Sequence, residues 1–282
     1  MKDITLNNGV KIPAVGLGTW PYLGDELMDV MEKAWDVGYR RFDTAWMYNN
    51  ETVIGEFIKK KNIKRDEIFI TSKLHINNLY LHRYHYRYPN IRVRSVKRAY
   101  KDSCRRLGVE VIDLFLLHWP FPGYLKMWEE LTKLYLEGKV RAIGVSSFMP
   151  KHLEVLKEVS DVVPAVNQIE MHPYNSRNDV VEYCLNNGII PEAYSPLGTG
   201  LRTQDLINNP VLSKIGSKNN VGVAQVILRW LYQQGVLSVP RTNKIEKLRQ
   251  NISIFDFDLS PEDMNEINNL NKDDYIRDYS RT

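Results

Sequence analysis

Cysteine is scarce in this sequence: Cys104 and Cys184 are the only two among 282 residues. Neither stands in a CxxC or other metal-ligand spacing, so no zinc knuckle, disulfide scaffold or other metal site is expected. A surplus of one charge is missing too. The formal net charge is only +4, which offers no electrostatic reason to bind nucleic acid or an anionic membrane. No apolar run approaches the roughly 20 residues that span a bilayer. Met1-Lys2-Asp3-Ile4-Thr5 lacks the apolar core of a secretory signal. The phosphate-binding fingerprint GxGxxG is absent as well. Its place after the first strand reads Gly16-Leu17-Gly18-Thr19-Trp20-Pro21, with the wrong spacing. No low-complexity stretch or linker divides the chain. These absences predict a soluble cytoplasmic protein with one domain over residues 1–282.

What is present is a rhythm. Asp3 to Ile12 reads as a hairpin around the tight turn Asn8-Gly9, too small to stand alone and suited to cap something larger. A short strand follows at Ala14 to Gly18. Apolar runs that read as strands then alternate with helical stretches. The strands are Arg41–Asp43, Glu67–Lys73, Val111–His118, Val140–Val145, Ala165–Ile169, Ile189–Tyr194 and Val236–Val239. Helices are predicted at Glu26–Val37, Glu51–Lys61, Arg92–Leu107, Lys126–Glu137, Pro150–Val159, Arg177–Asn187, Pro210–Lys218, Gly222–Gln234 and Ile245–Asn251. Gly38, Gly108, Gly138 and Gly188 stop four of them. Ser195 to Asp205 reads as a loop. Ser260-Pro261-Glu262 opens a last helix with an N-cap and a proline at the first position. Eight strand-then-helix units in ~250 residues are the size of a closed (β/α)8 barrel of the α/β class. An open doubly wound sheet is the runner-up.

In such a barrel the C-terminal ends of all strands face one side, where catalytic groups gather. Four unexpected side chains end apolar strands here: Asp43, Lys73 and His118, with Tyr48 just beyond Asp43. The same side collects Thr19 and Trp20, Ser146, Asn167 with Gln168, Tyr194 with Ser195, and Arg241 with Thr242. A phenol titrates near pH ~10, too high for easy proton transfer at neutral pH. A nearby ammonium favours the phenolate and lowers that value. Lys73 is placed to do this, Asp43 to hold Lys73, His118 to hydrogen bond a substrate oxygen and Tyr48 to protonate it. Taken singly each group has a bland reading. A strand-end histidine is commonly structural, and an isolated Asp–Lys pair contributes little. Four of them on three consecutive units of one face point to chemistry.

The motifs carrying these groups resemble the aldo-keto reductases over nearly the whole chain. Phe42-Asp43-Thr44-Ala45 with Tyr48, Asn50 and Glu51 is similar to the family's Asp–Tyr signature. Ile70-Thr71-Ser72-Lys73-Leu74 is similar to its lysine strand, and Leu117-His118-Trp119-Pro120 to its histidine strand. Further blocks are Gly138 to Ser146, Asn167 to Pro173 and Tyr194-Ser195-Pro196-Leu197-Gly198. The resemblance implies reduction of an aldehyde or ketone, with NADPH bound without a Rossmann fold and NADH left open; a regulatory or structural protein that keeps the barrel and the cofactor is the alternative. It implies that Thr19, Trp20 and Asp43 border the cofactor, that Ser146 and Gln168 hold its carboxamide and that Tyr194 stacks on the nicotinamide. Ser195, Leu197 and Gly198 would lie along the pyrophosphate. Arg241, Thr242, Lys247, Gln250 and Asn251 would receive the adenosine end, with Arg241 and Lys247 on a 2′-phosphate. Trp20, Tyr48, His75, His118 and Trp119 would line the substrate. The expected partner is a small carbonyl compound, and the expected state a monomer or weak homo-oligomer.

Departures from the family pattern stand at Ser147, where Asn is common, at Arg241 and Lys247, where Lys and Arg are exchanged, at Gln250 for Glu, and at His75 for an aromatic residue. A long C-terminal substrate loop is not expected. The segment His75 to Ile91 is longer than in many members and interleaves Arg and Tyr with His82 and His85. Two histidines without a nearby acid or thiolate make a poor metal site. That segment reads as a wall of the substrate pocket or an oligomer contact.

Overall fold

The computed structural model describes residues 2–75 and 95–275. The segment expected to wall the pocket lies outside these residues, apart from His75.

The hairpin forms as expected, pairing β1 (Asp3–Thr5) with β2 (Lys11–Pro13) in register Ile4 opposite Ile12. Gly9 takes φ 82° at the turn, a conformation that costs glycine little. The hairpin covers the N-terminal end of a barrel. Its Leu6 and Ile12 pack with the strand residues Phe69, Leu114, Leu116, Ala142, Val166 and Leu237. Asn8 Nδ2 donates to the carbonyl of Arg141 at 2.9 Å, which ties the cap to the barrel wall.

The wall is built from eight parallel strands: β3 (Leu17–Gly18), β4 (Arg41–Asp43), β5 (Phe69–Leu74), β6 (Leu114–Leu117), β7 (Ala142–Ser146), β8 (Val166–Glu170), β9 (Ile190–Tyr194) and β10 (Leu237–Ser238). Each pairs with its sequence neighbour, as βαβ units do. Gly16 N donates to Ser238 O at 2.8 Å, and Ser238 N to Ala14 O at 3.1 Å. These bonds join the two ends of the sheet, so the barrel is closed and the open-sheet alternative is excluded.

The helices outside it are α1 (Gly24–Asp36), α2 (Glu51–Lys60), α3 (Val96–Leu107), α4 (Tyr124–Leu136), α5 (Pro150–Leu156) and α6 (Asn178–Asn186). Then come α7 (Leu201–Ile207), α8 (Pro210–Lys218), α9 (Val223–Gln233), α10 (Ile245–Ile252) and α11 (Pro261–Asn268). The start of α11 follows the predicted signal: the Ser260 hydroxyl accepts from Asp263 N at 3.2 Å. The expected loop through Asp205 is instead partly helical. Gly200 at φ 58° sets the turn, and α7 then buries Leu206 against the core.

Strand alternation decides which side chains enter the barrel. On β5, Ile70 packs outward with the helices, while Phe69 packs inward against the cap. Thr71 and Lys73 follow Phe69 inward at intervals of two. The same alternation sends Arg41 and Asp43 inward from β4, Gln168 from β8, and Glu192 from β9. Asn167, expected on the catalytic face, goes the other way. Its Nδ2 donates to Phe148 O at 2.9 Å and approaches Cys184 Sγ on α6.

Candidate active site

At the C-terminal mouth, β4 and β5 are neighbours in the sheet, with Asp43 opposite Thr71 in register. Lys73, two residues further along β5, therefore reaches the carboxylate across the groove between them. Its ammonium lies 2.6 Å from Asp43 Oδ1, 2.9 Å from Thr44 O and 3.4 Å from the Tyr48 hydroxyl. Lys73 is fully buried and Asp43 nearly so. Burial pulls the Lys73 pKa below the ordinary lysine value, and the Asp43 charge opposes that pull.

Tyr48 is delivered by a single 3-10 turn, Trp46–Tyr48, ended by Asn49 at φ 54°. Asn50 and Glu51, which follow the turn, anchor the chain on either side of it. Asn50 is buried, accepts from Thr44 Oγ1 at 2.5 Å and donates to Thr19 Oγ1 at 3.2 Å and Tyr22 O at 3.1 Å. Glu51 accepts from Ser72 Oγ and from Arg106 Nε, both at 2.7 Å. Thr19 is buried, with its hydroxyl donating to Asp43 O at 2.9 Å.

His118 follows β6 directly, its N–H donating to Leu74 O at 3.0 Å. Its ring meets Tyr48 edge-on, with centroids 5.8 Å apart. Trp20 is 54% exposed and leans over Tyr48 with centroids 5.3 Å apart. Asp43, Tyr48, Lys73 and His118 thus converge as expected, with Trp20 at the rim.

His75 sits in an aromatic box. It stacks on Trp46 at 6.0 Å and meets Trp119 and Phe121 edge-on, each at 4.7 Å. Its ring is 6.0 Å from that of His118. Burial pushes its pKa down to about 4, so the imidazole is neutral at neutral pH. The unfolded chain accepts this proton near pH ~6.5, before the folded chain does. Stability should therefore fall as pH drops from about 6.5 towards 4. In His75→Phe that component disappears. Urea midpoints at neutral and acidic pH, compared between the two proteins, check it; an identical pH dependence counts against it.

The remaining predicted residues divide into two groups along the mouth. Ser146 ends β7 and is buried. Ser147 takes φ 62°, its N–H donating to Gln168 O at 2.8 Å. Gln168 is buried on β8 and donates from Nε2 to Asp43 Oδ2 at 2.8 Å and to Glu192 Oε2 at 2.7 Å. Tyr194 ends β9 and is partly exposed. Ser195 and Gly198 close a turn after it, Gly198 N donating to Ser195 O at 2.8 Å, with Leu197 partly buried between them. A Cβ added to Gly198, at φ 70°, would come within 3.2 Å of the backbone of Arg202, so the loop lies tight on α7.

The second group surrounds α10. Arg241, Lys247 and Gln250 are exposed, and Thr242 Oγ1 accepts from Lys244 N at 3.2 Å. Burial raises the Tyr22 pKa, and Arg241, hydrogen bonded to that phenol, pulls against the rise. Asn251 is buried and hydrogen bonds Tyr39.

The sequence reading missed Arg41 and Glu192. Both are fully buried inside the barrel, and Arg41 opens the strand predicted over Arg41–Asp43. The available signal was the spacing of two that puts Arg41 and Asp43 on one face. Among the described residues no group of three or more His, Cys, Asp or Glu is placed to hold a metal, and no helix is long and apolar enough to cross a membrane.

Comparison with known proteins agrees with this geometry. Glyoxal reductase of Bacillus subtilis is 40% identical over 279 residues, covering 98% of this chain and 95% of its own. An aldo-keto reductase from a Medee basin deep-sea metagenome library superimposes with a TM-score of 0.88 at 35% identity, over 98% of this chain and 97% of that one. A Bombyx mori aldo-keto reductase solved in complex with NADP superimposes with a TM-score of 0.85 at 30% identity, over 99% of this chain and 96% of that one. The sequence model of the aldo/keto reductase family matches residues 14–272. A closed barrel with buried Asp43 and Lys73 beneath Tyr48 and His118, together with these likenesses, makes this chain a member of the aldo/keto reductase family.

Proposed function

We propose that this oxidoreductase reduces an aldehyde or ketone to an alcohol with NADPH, and that Tyr48 is the general acid. The observation that carries the reading is Lys73, held 2.6 Å from Asp43 and 3.4 Å from the Tyr48 hydroxyl. An ammonium this close stabilises the phenolate left after proton donation. His118 borders the same space and supplies a donor to the carbonyl oxygen as negative charge grows there.

The residues present suit a nicotinamide dinucleotide. Gln168 has both amide hydrogens engaged by carboxylates. Its carbonyl oxygen is the atom left to accept from a carboxamide NH2. Ser146 stands one strand away, and Tyr194 offers a ring face at the end of β9. Ser195, Leu197 and Gly198 form the tight turn that would follow a pyrophosphate. Arg241, Thr242, Lys247, Gln250 and Asn251 would hold the adenosine end. When bound, the cofactor supplies the hydride. Trp20, His75 and Trp119 make the pocket wall aromatic, which favours an uncharged carbonyl compound.

The test is NADPH consumption with a panel of small dialdehydes, aromatic aldehydes, ketones, keto-acids and sugars. No consumption with any of them would defeat the reading. The cofactor choice has its own test. Arg241 and Lys247 should favour NADPH over NADH, each charge-assisted contact to a 2′-phosphate contributing roughly 1.5–3 kcal/mol. Fluorescence titration of Arg241→Ala should show weaker NADPH binding, by about tenfold or more, with NADH binding unchanged. Equal dissociation constants for the two cofactors in the unmodified protein would remove both cations from that role.

A further inference from the structure

We infer that Arg41 and Glu192 form a buried positioning pair for the reduction, acting through Gln168 on the cofactor side and through Asp43 on the proton side. The inference rests on the carbonyl reductase reading above.

The two residues belong to a continuous polar chain through the barrel. Arg41 Nη1 donates to Pro13 O at 2.7 Å, at the end of the hairpin cap. Its Nη2 pairs with Glu192 Oε1. Glu192 stands opposite Gln168 in the β8–β9 register. Gln168 Nε2 then donates at 2.7 Å to Glu192 and at 2.8 Å to Asp43, and Asp43 holds Lys73 at 2.6 Å. Arg41, Glu192 and Lys73 are all 0% exposed. Gly16 leaves the space that the arginine stem fills: a Cβ there would lie 3.1 Å from Arg41 Cγ.

Two consequences follow from elementary chemistry. The first concerns orientation. A primary amide has two hydrogens and one carbonyl oxygen. Two carboxylates converge on Gln168, so the reversed amide would set its oxygen against both negative charges. Glu192 therefore helps decide that Gln168 offers an acceptor to a ligand. The second concerns charge. Arg41, Glu192, Asp43 and Lys73 carry two positive and two negative charges in a water-excluded interior. Removing Glu192 alone leaves one excess cation near Asp43 and Lys73. That cation favours the Tyr48 phenolate. Among the described residues, the charged or titratable groups facing Tyr48 are Lys73, Asp43 and His118, with His75 behind His118. Stability alone does not require the pair, since replacing a buried ion pair by apolar residues is often neutral or stabilising.

Three proteins separate these effects: the unmodified chain, Glu192→Gln, and the double variant Arg41→Leu with Glu192→Leu. Each is followed by thermal melting, NADPH titration by fluorescence, and the pH profile of kcat. Glu192→Gln keeps an oxygen for Gln168 and loses the charge. Its NADPH affinity should stay within about threefold, while the basic limb of the profile moves to lower pH by ~0.5 unit or more. The double variant keeps the charge balance and loses the acceptor. Its basic limb should stay in place, while NADPH binds about fivefold more weakly, the value of one ordinary hydrogen bond. Unchanged affinity in the double variant together with an unmoved limb in Glu192→Gln overturns the inference. So does loss of cooperative melting in both, which would make the pair structural. Failure of the unmodified protein to bind NADPH would instead overturn the reading on which the inference rests.

Discussion

Tyr48→Phe is expected to lower the turnover of carbonyl reduction by ~100-fold or more while NADPH binds as before. The substitution deletes one oxygen and keeps the ring. That ring still meets His118 at 5.8 Å and Trp20 at 5.3 Å between centroids, so the pocket keeps its shape. What disappears is the hydroxyl 3.4 Å from Lys73, the proposed proton donor. No other hydroxyl among the described residues is hydrogen bonded to that ammonium, so no neighbour takes over the role. Steady-state turnover and cofactor titration on the same preparation give the answer. Turnover within threefold of the unmodified protein would take Tyr48 out of the mechanism.

Lys73→Met should damage both stability and chemistry. Methionine is close to the lysine stem in size, so the main loss is the charge. Asp43 then keeps Gln168 as a donor but loses its cation, in a site where it is 3% exposed. Removing one partner of a buried ion pair typically costs about 3–5 kcal/mol. Turnover should fall too, because nothing favours the Tyr48 phenolate in place of the ammonium. Urea unfolding measures the first effect and NADPH consumption the second. A variant that unfolds at the same urea concentration as the unmodified protein would show that Lys73 and Asp43 are not coupled as their 2.6 Å separation implies. Normal turnover would break the link to Tyr48.

Much of the architecture could be read from local order. Asn8-Gly9 announced the hairpin, and Ser260-Pro261 announced α11. Gly108 ended α3 at φ 65°, as a residue free to adopt the left-handed region does. Asp43, Lys73 and His118 could be placed together from the sequence because each ends a predicted strand, and a parallel barrel brings such ends to one side. Asn167 was misplaced because its strand was read as a block; β alternation turns neighbouring residues to opposite faces. The helix Leu201–Ile207 was missed because it is short and its one buried residue, Leu206, gives no periodic signal.

Local sequence order therefore determined most of the strand and helix succession and the gathering of Asp43, Tyr48, Lys73 and His118 at one mouth, since propensity, turn chemistry and strand polarity act over a few residues, while closure of the barrel excluded the open sheet. The folded barrel settled which groups complete the site. Gln168 reaches Asp43 across 125 residues of chain, and Arg41 meets Glu192 only because the sheet closes on itself. Hydrogen bonds and charge pairs of that kind depend on distance in space, and distance along the chain carries no record of them.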